Sequence, residues 1–470
     1  MKTALINPPL VGYRGDLFAS IPAIPVGLLH VAAAVRDAGH EVSVVDAFAA
    51  APSRERKWLD EFGLFGLLPG EAAALVAEDA RVVGISAHSG MSHAWCRRFI
   101  RIIKTTGATV VAGGPFASTA PRTFLEAGAD HVVAGEGEHA FVGLLNRLEA
   151  GEKPDAALVP GVFEKDPDRL PWPAFDLVDL AAYWRSGRAH APVSGPWLPL
   201  VTSRGCPHSC AFCAAPALSG RTWRPRSPES VAEEVAVSMP RHKITDFHIQ
   251  DDNFTVSRSR VLRFCDLVRD LFPSPVFHLP SGVRSADIDE DLLHAMAEAG
   301  FRYMAFSPES GSPRIRELMG KPLDEQHLLN LVSVARRLGI TTQACFIAGF
   351  PDETDKDRRW SMRLIDRLVR AGVHDLSVFI MAPVPGSRCE TAFGGLPAPE
   401  GMNWSPRWRP DYKRLKRFRR AAYSRYFARM AVSRPVEMIR FCANGARGKY
   451  RTKGQMAAGW WLRHFFLANQ

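Results

Sequence analysis

The sequence is poor in cysteine and has no long apolar run. Eight cysteines in 470 residues are too few for a disulfide scaffold, so any cysteines that cluster point to metal or redox chemistry. No apolar run reaches the roughly 18 to 20 residues that a membrane span needs. The apolar stretch at the start is too short for a signal peptide, and Pro8 and Pro9 interrupt it. These absences predict a cytoplasmic protein that is not integral to a membrane.

Wholesale disorder is also excluded, because 46% of the residues are hydrophobic and 23% are charged. The length exceeds one ordinary domain and predicts two or three. The formal net charge of +10 is uneven. Residues 401–470 contain 17 Lys and Arg against two acidic residues, so the first 400 residues carry a net negative charge. The basic character therefore belongs to a C-terminal extension.

Alternating segments predict an α/β chain of four parts. Residues 1–145 alternate short apolar strands with helices, which is typical of a doubly wound, Rossmann-like parallel sheet. Residues 146–195 are rich in Pro and Gly and are predicted to be a linker. Residues 196–395 contain six strand and helix pairs, which predicts a partial (β/α)6 barrel. Residues 396–470 form the basic, mainly helical extension.

Several loops after the N-terminal strands consist of small or polar residues. They include Asn7-Pro8-Pro9, a loop from Ser86 to Gly90, Gly113-Gly114-Pro115 and Gly135-Glu136-Gly137. Ligands of parallel sheets bind at the carboxyl ends of the strands, where such loops collect. Ordinary βα turns are an equally good interpretation of these loops from composition alone.

The strongest chemical signal is the motif Cys206-Pro-His-Ser-Cys210-Ala-Phe-Cys213. Three thiolates within eight residues are a ligand set that iron–sulfur clusters use. A zinc site with His208 as fourth ligand is the alternative, although this spacing is not a usual zinc pattern. Three thiolates on a four-iron cluster would leave one iron open for a small cofactor.

The three cysteines and Phe212 resemble the C-x3-C-x2-C signature of the radical S-adenosylmethionine (SAM) superfamily. The resemblance implies that Cys206, Cys210 and Cys213 bind a [4Fe–4S] cluster. Further segments after later strands resemble the superfamily's SAM-binding motifs, in the same chain order. The SAM-binding residues that the resemblance implies are Phe212, Asp251, Asp252, Glu309, Ser310 and Gly349.

The N-terminal region resembles the cobalamin-binding domain that precedes the radical SAM barrel in a large subfamily, the class B methyltransferase-like enzymes. The residues that this resemblance places around cobalamin are Asn7, Pro8, Ser86, Gly113, Gly114, Gly135, Glu136 and Gly137. One departure is that Asn7-Pro8-Pro9 replaces the loop whose histidine binds cobalt in many cobalamin domains. His88 follows a different strand and is interpreted as a turn or surface histidine. The lower cobalt face is therefore expected to lack a histidine ligand.

The resemblance implies reductive cleavage of SAM to a 5′-deoxyadenosyl radical and C-methylation of an unactivated carbon. The cofactors would be a [4Fe–4S] cluster, SAM and cobalamin, with an external one-electron reductant of the flavodoxin or ferredoxin type. Cobalamin-dependent oxidation or ring closure, as in porphyrin-ring cyclases, is the alternative on the same scaffold. A non-catalytic cobalamin or Fe–S sensor is the alternative from another class.

The basic extension interleaves cations with aromatic residues, for example in Lys413 to Arg420 and at Trp460 and Trp461. Three interpretations stay open: a helical cap on the barrel, nucleic-acid binding, and peripheral contact with the inner membrane surface. No RNA-binding motif accompanies the extension, so nucleic acid is the least favoured partner. The substrate is predicted to be a small hydrophobic, lipid-like or natural-product molecule.

Overall fold

A computed structural model describes residues 1–14, 21–59, 61–154, 156–193, 195–393 and 405–459. The chain divides into two compact units. The first unit contains Met1–Ser186, Cys213–Arg224 and Pro383–Asn403. The second unit contains Gly187–Phe212, Pro225–Ala382 and Trp404–Gln470. The last cysteine of the motif thus begins a short segment that packs with the N-terminal unit.

The first unit is an α/β domain. Its strands are β1 (Lys2–Asn7), β2 (Leu10–Tyr13), β3 (Glu41–Asp46), β4 (Glu55–Trp58), β5 (Phe62–Phe65), β6 (Val82–Ser86), β7 (Thr109–Gly113), β8 (His131–Ala134) and β9 (Leu158–Pro160). Its helices are α1 (Val26–Asp37), α2 (Pro69–Ala73), α3 (His93–Lys104), α4 (Pro115–Thr119), α5 (Pro121–Leu125), α6 (Glu138–Glu149), α7 (Leu180–Arg185) and α8 (Ala215–Leu218).

Six of these strands form a parallel sheet in the order β3-β1-β6-β7-β8-β9. Successive side chains of β1 lie on opposite faces of the sheet, since Leu5 packs in one apolar cluster and Ile6 packs in the other. Two covered faces make the sheet doubly wound, as predicted. The strand order reverses direction at β1 and β6, so the crevice for a ligand lies beside the loops that follow these two strands.

Two features of this unit differ from the sequence prediction. The strands β2, β5 and β4 form a small antiparallel sheet, whose short segments show no alternation in the sequence. The predicted linker 146–195 contains β9, which pairs with β8 and extends the parallel sheet. A three-residue strand followed by Pro-rich turns has too little pattern to be found without its partner strand.

The second unit has a six-stranded parallel sheet in the order β10-β13-β14-β15-β16-β17. The strands are β10 (Trp197–Leu200), β13 (Asp246–Ile249), β14 (Val276–Val283), β15 (Phe301–Glu309), β16 (Thr341–Ala348) and β17 (Asp375–Ile380), with two short strands, β11 (Ser203–Arg204) and β12 (Arg224–Pro225), after β10. The helices between them are α9 (Pro228–His242), α10 (Arg258–Arg269), α11 (Glu290–Glu298), α12 (Pro313–Met319), α13 (Glu325–Arg337) and α14 (Asp355–Ala371). The sheet order follows the chain order, which confirms the predicted partial (β/α)6 barrel.

Local sequence explains where these helices begin. Ser227 accepts a hydrogen bond from the Ser230 amide at the start of α9, and Pro228 occupies the first helical position. Thr354 and Asp357 form a reciprocal capping box at the start of α14. Aromatic residues fix the helices on the sheet, since the Phe264 ring of α10 lies 5.2 Å from the Phe277 ring of β14.

The C-terminal extension is helical, as predicted, with α15 (Tyr412–Ser433), α16 (Pro435–Ala446) and further helical residues 453–459. The helix α15 packs on α14 and β17. Arg425 and Arg429 both bind the Asp366 carboxylate of α14, and the Tyr426 hydroxyl donates to the His374 carbonyl oxygen. Within the described part of the chain, no helix has the length and apolar character to cross a membrane.

Candidate functional site

The cysteine loop begins directly after a strongly anchored segment of the barrel. The buried Asp251 carboxylate, at the end of β13, accepts hydrogen bonds from the Thr202 amide (2.7 Å), the Thr202 hydroxyl (2.5 Å) and the Ser203 hydroxyl (2.6 Å). Arg260 donates to the Thr202 carbonyl oxygen at 2.7 Å. The backbone before Cys206 is therefore held from both sides, and Asp251 has its oxygens engaged by the protein itself.

Cys206 and Cys210 are half-buried thiols in this loop. Burial raises the pKa of Cys206, the nearby Asp252 and Cys210 add to the rise, and Arg284 lowers it. Burial of the thiol disfavours its free thiolate form, which a bound cation would stabilise. None of the eight cysteines forms a disulfide.

The described residues do not favour the alternative zinc site. No three His, Cys, Asp or Glu side chains in the described ranges are grouped as ligands of a single ion. A mononuclear zinc site requires four ligands that converge on one point. In a four-iron cluster each thiolate binds a different iron, so the thiols need not converge. The donor set thus fits a cluster better than zinc.

Asp252 differs from its neighbour Asp251. Its side chain is exposed, and it lies close enough to Cys206 to raise the pKa of that thiol. An accessible carboxylate beside a cysteine of the motif can accept hydrogen bonds from a ligand's amino group. Of the two aspartates predicted to bind SAM, Asp251 is buried and Asp252 is exposed.

The end of β15 carries the predicted residues Glu309 and Ser310. Glu309 has a φ of +60°, a conformation that is strained for a non-glycine residue. Its buried carboxylate pairs with Lys321 at 2.7 Å, and the Lys321 ammonium also lies 5.9 Å from the centre of the Phe212 ring. Burial raises the pKa of Glu309 and Lys321 opposes the rise. Lys321 therefore joins two predicted SAM segments.

Ser310 is completely buried and serves the packing of α14. Its hydroxyl accepts from the Ser312 amide at 3.1 Å, and its carbonyl oxygen accepts from Arg316 at 2.9 Å. The adjacent Gly311 has no room for a side chain, because an added Cβ would lie 2.3 Å from the Trp360 carbonyl oxygen. The Ser310 side chain is thus structural, while its backbone shapes the turn after Glu309.

Gly349, at the end of β16, is enclosed by the C-terminal extension. Its carbonyl oxygen accepts from Arg409 at 2.9 Å, and Arg409 also donates to the Met381 carbonyl oxygen at 2.6 Å. Its amide donates to the Glu353 carboxylate at 2.7 Å. Arg409 therefore ties together the ends of β16 and β17, which the sequence did not reveal.

We expect Gly349→Ala to destabilise the protein by at least about 1 kcal/mol. The residue has a φ of +79°, and an added Cβ would lie 2.4 Å from a Leu415 methyl carbon. Gly339→Ala is the matched control, because Gly339 has a φ of +76° with nothing within 4 Å of an added Cβ. Thermal unfolding midpoints of the two variants separate the clash from the backbone strain. Equal midpoints would show that the extension yields to the added methyl group.

The predicted cobalamin residues surround the carboxyl edge of the sheet in the first unit. Asn7 donates to the Asp46 carboxylate at 3.0 Å, and the Tyr183 hydroxyl donates to the same carboxylate at 2.6 Å. Pro8 is buried, whereas Ser86, Gly113 and Gly114 are partly exposed. Gly114 has a φ of +92°, and an added Cβ would lie 3.1 Å from the Ala87 carbonyl oxygen. These contacts keep the loops after β6 and β7 in close contact.

The Gly135-Glu136-Gly137 turn is held by a buried ion pair. Both terminal nitrogens of the Arg224 guanidinium donate to the Glu136 carboxylate, and Arg224 also donates to the Glu164 carbonyl oxygen at 2.7 Å. Gly135 has a φ of +111°, and its amide donates to the Ser118 hydroxyl at 2.9 Å. The carboxylate of Glu136 is thus engaged by Arg224, and the turn offers a ligand mainly its backbone.

His88 lies at the sheet crevice, just after β6. Its side chain is accessible to solvent, yet the surrounding protein desolvates the ring and lowers its pKa. The carboxyl-edge loops and their close glycine contacts fit a cofactor that binds at the crevice.

Sequence reasoning missed three cations that hold these segments, namely Lys321, Arg409 and Arg224. Each contacts partners far away in the chain, and a lone cation carries no sequence signal of its own. The only local signal was Gly320, the left-handed cap of α12, which marks the turn where Lys321 lies.

The comparisons with known proteins agree with this geometry. Residues 21–145 match the family model of the B12 binding domain, and residues 200–365 match that of the radical SAM superfamily. An uncharacterized methyltransferase of Pyrococcus horikoshii is 28% identical over 83% of this chain and 82% of the relative. The cytidylyl-2-hydroxyethylphosphonate methyltransferase of Streptomyces wedmorensis is 28% identical over 82% of this chain and 80% of its own. An anaerobic magnesium-protoporphyrin IX monomethyl ester cyclase of Synechocystis is 27% identical over 76% of this chain and 70% of the cyclase.

A solved structure shows the same fold. The radical SAM methyltransferase TsrM from Kitasatospora setae, with cobalamin and a [4Fe–4S] cluster bound, superposes with a TM-score of 0.63 at 19% identity, over 83% of this chain and 77% of TsrM. The chain is an enzyme that carries a B12-binding domain and a radical SAM domain. Methyltransferases and anaerobic cyclases are both among its homologues, and the cofactors of the two domains are cobalamin, a [4Fe–4S] cluster and SAM.

Proposed function

We propose that the enzyme methylates an unactivated carbon of a hydrophobic, lipid-like or natural-product substrate. Support for methyl transfer comes from the two methyltransferase relatives, each of which matches about four fifths of both chains. When bound and reduced by one electron, the cluster and SAM supply a 5′-deoxyadenosyl radical, and cobalamin supplies the methyl group. The electron would come from a flavodoxin or ferredoxin.

The residues of this chain would bind and orient these groups. Cys206, Cys210 and Cys213 would hold the cluster, and Asp252 would accept hydrogen bonds from the SAM amino group. Phe212, Glu309 and the backbone around Ser310 and Gly349 would line the rest of the SAM site, with Asp251 positioning the cysteine loop. The single observation that carries the SAM assignment is the exposed Asp252 carboxylate beside Cys206.

The cobalamin site would lie at the carboxyl edge of the first sheet. Asn7, Pro8 and Ser86 would line the crevice between β1 and β6, and the turns at Gly113-Gly114 and Gly135-Glu136-Gly137 would approach the cofactor through their backbone. The expected absence of a histidine on the lower cobalt face can be tested from the electron paramagnetic resonance spectrum of the cobalt(II) form. A nitrogen splitting there, lost in His88→Ala, would contradict it.

Anaerobic reconstitution tests the reaction itself. Incubation with SAM, a one-electron reductant and cell extract should give 5′-deoxyadenosine, S-adenosylhomocysteine and a product that has gained one methyl group. The second candidate function is cobalamin-dependent oxidation or ring closure, which the cyclase relative supports. A product that is oxidised or cyclised without gaining a methyl group would favour it. Absence of 5′-deoxyadenosine and of S-adenosylhomocysteine from a fully loaded protein would indicate a sensor.

Peripheral contact with an anionic inner-membrane surface is proposed for the extension. Val432, Val436 and Ile439, at the turn between α15 and α16, are 82%, 58% and 69% exposed. Exposed Arg440 and Arg447 accompany this apolar group. Apolar side chains with neighbouring cations suit the headgroup region of anionic lipid.

We expect Ile439→Asp to reduce sedimentation with phosphatidylglycerol vesicles at low salt, because it places an anion at the apolar contact. Val237→Asp, at an exposed position of α9, is the matched control. Cosedimentation of both variants with anionic and neutral vesicles measures the effect. If wild type and both variants stay equally in the supernatant, the cytoplasmic protein makes no membrane contact through this turn.

A further inference from the structure

The amino ends of the barrel strands carry a buried polar layer that the proposed reaction does not use. Apolar rings on one face of the sheet, such as Phe277 and Phe301, pack with Phe264 of α10. The polar residues lie on the other face, in the barrel interior, and link neighbouring strands. They are Trp197, His248, His278, Tyr303, Gln343 and Asp375.

Several atoms of this layer have no hydrogen-bond partner in the described part of the chain. The Tyr303 hydroxyl is one of them, and the residue is only 1% exposed. Both ring nitrogens of His248, a fully buried residue, are also without a partner among the described residues. Burying such groups without a partner is destabilising. Their presence points to a polar ligand or ordered water in the interior.

The C-terminal extension adds a cation to this layer. The Lys453 ammonium lies 5.9 Å from the centre of the Tyr303 ring. The neighbouring Gly454 amide donates to Asp375 at 3.2 Å, which fixes this segment against β17. Burial lowers the pKa of Lys453, while Cys345 and Asp375 oppose the decrease. Among the described residues no carboxylate lies within ion-pair distance of Lys453, so its charge lacks a direct partner.

Cys345 of β16 lies between this layer and the predicted SAM residues. It packs with Ala191, Tyr303 and Ala305, and the residue is half-buried. Burial raises the pKa of Cys345 to about 12. Charges of the polar layer, on Lys453 and Asp375, and of the predicted SAM segment, on Glu309 and Lys321, all influence this pKa. The thiol is therefore an electrostatic neighbour of both groups of residues.

We propose that Lys453 and the Tyr303 hydroxyl form an oxyanion subsite that binds a carboxylate, phosphate or phosphonate group of the substrate. The inference rests on the proposed function, because the reacting carbon of that substrate is placed where the proposed methyl transfer would occur. Tyr303 and Glu309 are six positions apart in β15, which corresponds to at most about 20 Å of strand. The substrate class is then an elongated acid, with its anionic group at Lys453 and its reacting carbon toward the SAM residues.

Binding of simple alkyl anions to the fully loaded holoenzyme tests this subsite. The probes are octylphosphonate and octanoate, with octanol and octyltrimethylammonium as neutral and cationic references. Isothermal titration should show that the anions bind wild type at least about tenfold more tightly than Lys453→Gln, as the loss of one charge-assisted hydrogen bond predicts. Tyr303→Phe should weaken the anions less, and octanol should bind all variants equally.

Lys449→Gln, an exposed change in the same extension, is the matched control and should bind the anions like wild type. Equal anion affinities of wild type and Lys453→Gln would overturn the proposal. Binding of no probe to any variant would overturn it as well and would leave the polar layer to ordered water. SAM cleavage is not part of this measurement, so a failed subsite and a failed methyltransferase assignment give separate results.

A second readout uses the Cys345 thiol as a sensor of local charge. An anionic methanethiosulfonate reagent should modify Cys345 of the holoenzyme faster than a cationic one, and Lys453→Gln should remove that preference. Peptide mapping by mass spectrometry measures both rates, and the exposed Cys442 of the same molecule corrects for reagent reactivity. A preference that is the same in wild type and Lys453→Gln would contradict a cationic subsite, even if the variant lost stability.

Discussion

Replacing Cys210 with alanine is expected to remove the iron–sulfur cluster and to abolish reductive cleavage of SAM. Cys210 would supply one of only three protein ligands, and its loop is preceded by a rigid anchor at Thr202 and Ser203. Loss of a partner that merely supports a ligand costs about 10–100-fold in metal affinity, so loss of a ligand itself should cost more. Iron and sulfide content, the visible spectrum and 5′-deoxyadenosine formation measure the effect.

Cys442→Ala is the control for this variant, because Cys442 is exposed in α16 and lies outside the motif. It should keep the cluster, the spectrum and SAM cleavage of wild type. A Cys210→Ala protein that retains a full cluster and normal 5′-deoxyadenosine formation would refute the assignment of the three cysteines. Equal losses in both variants would instead indicate general damage by cysteine replacement.

The architecture and the cluster motif were predictable because their signals are local. The strands of both sheets are short apolar runs, and the three cysteines lie within eight residues. The roles of Asp251 and Asp252 were not separable in this way. The two residues are adjacent and identical in type, and only the partners of Asp251 on Thr202 and Ser203 tell them apart.

The basic extension shows the limits of charge counting most clearly. Its 17 Lys and Arg left three interpretations open, and a helical cap on the barrel was only one of them. In the structure Arg409 bridges the ends of β16 and β17, Arg425 pairs with Asp366, and Lys453 reaches the barrel interior. A cation's partner is chosen by tertiary structure, so a sequence count cannot distinguish a structural arginine from a solvated one.

A crossed pair of substitutions separates anchoring from ligand binding at the end of β13. Asp251→Asn should destabilise the protein by about 1–3 kcal/mol and lower its cluster content, because an amide can no longer accept from all three donors and its own NH₂ group opposes one of them. Asp252→Asn should lower stability less than Asp251→Asn, since the Asp252 side chain is exposed and that of Asp251 is buried. It should instead weaken SAM binding at least about tenfold, the cost of one charge-assisted hydrogen bond.

Thermal unfolding, iron content and equilibrium binding of SAM to the reconstituted protein measure the three effects on each variant. The expected pattern is a lower unfolding midpoint with little change in SAM affinity per cluster for Asp251→Asn, and the reverse for Asp252→Asn. If Asp251→Asn keeps wild-type stability while SAM affinity per cluster falls, then Asp251 faces the ligand. Normal SAM affinity in Asp252→Asn would remove the residue from the SAM site. Comparison of the two variants thus tests whether the hydrogen bonds of Asp251 to the protein exclude this residue from binding SAM.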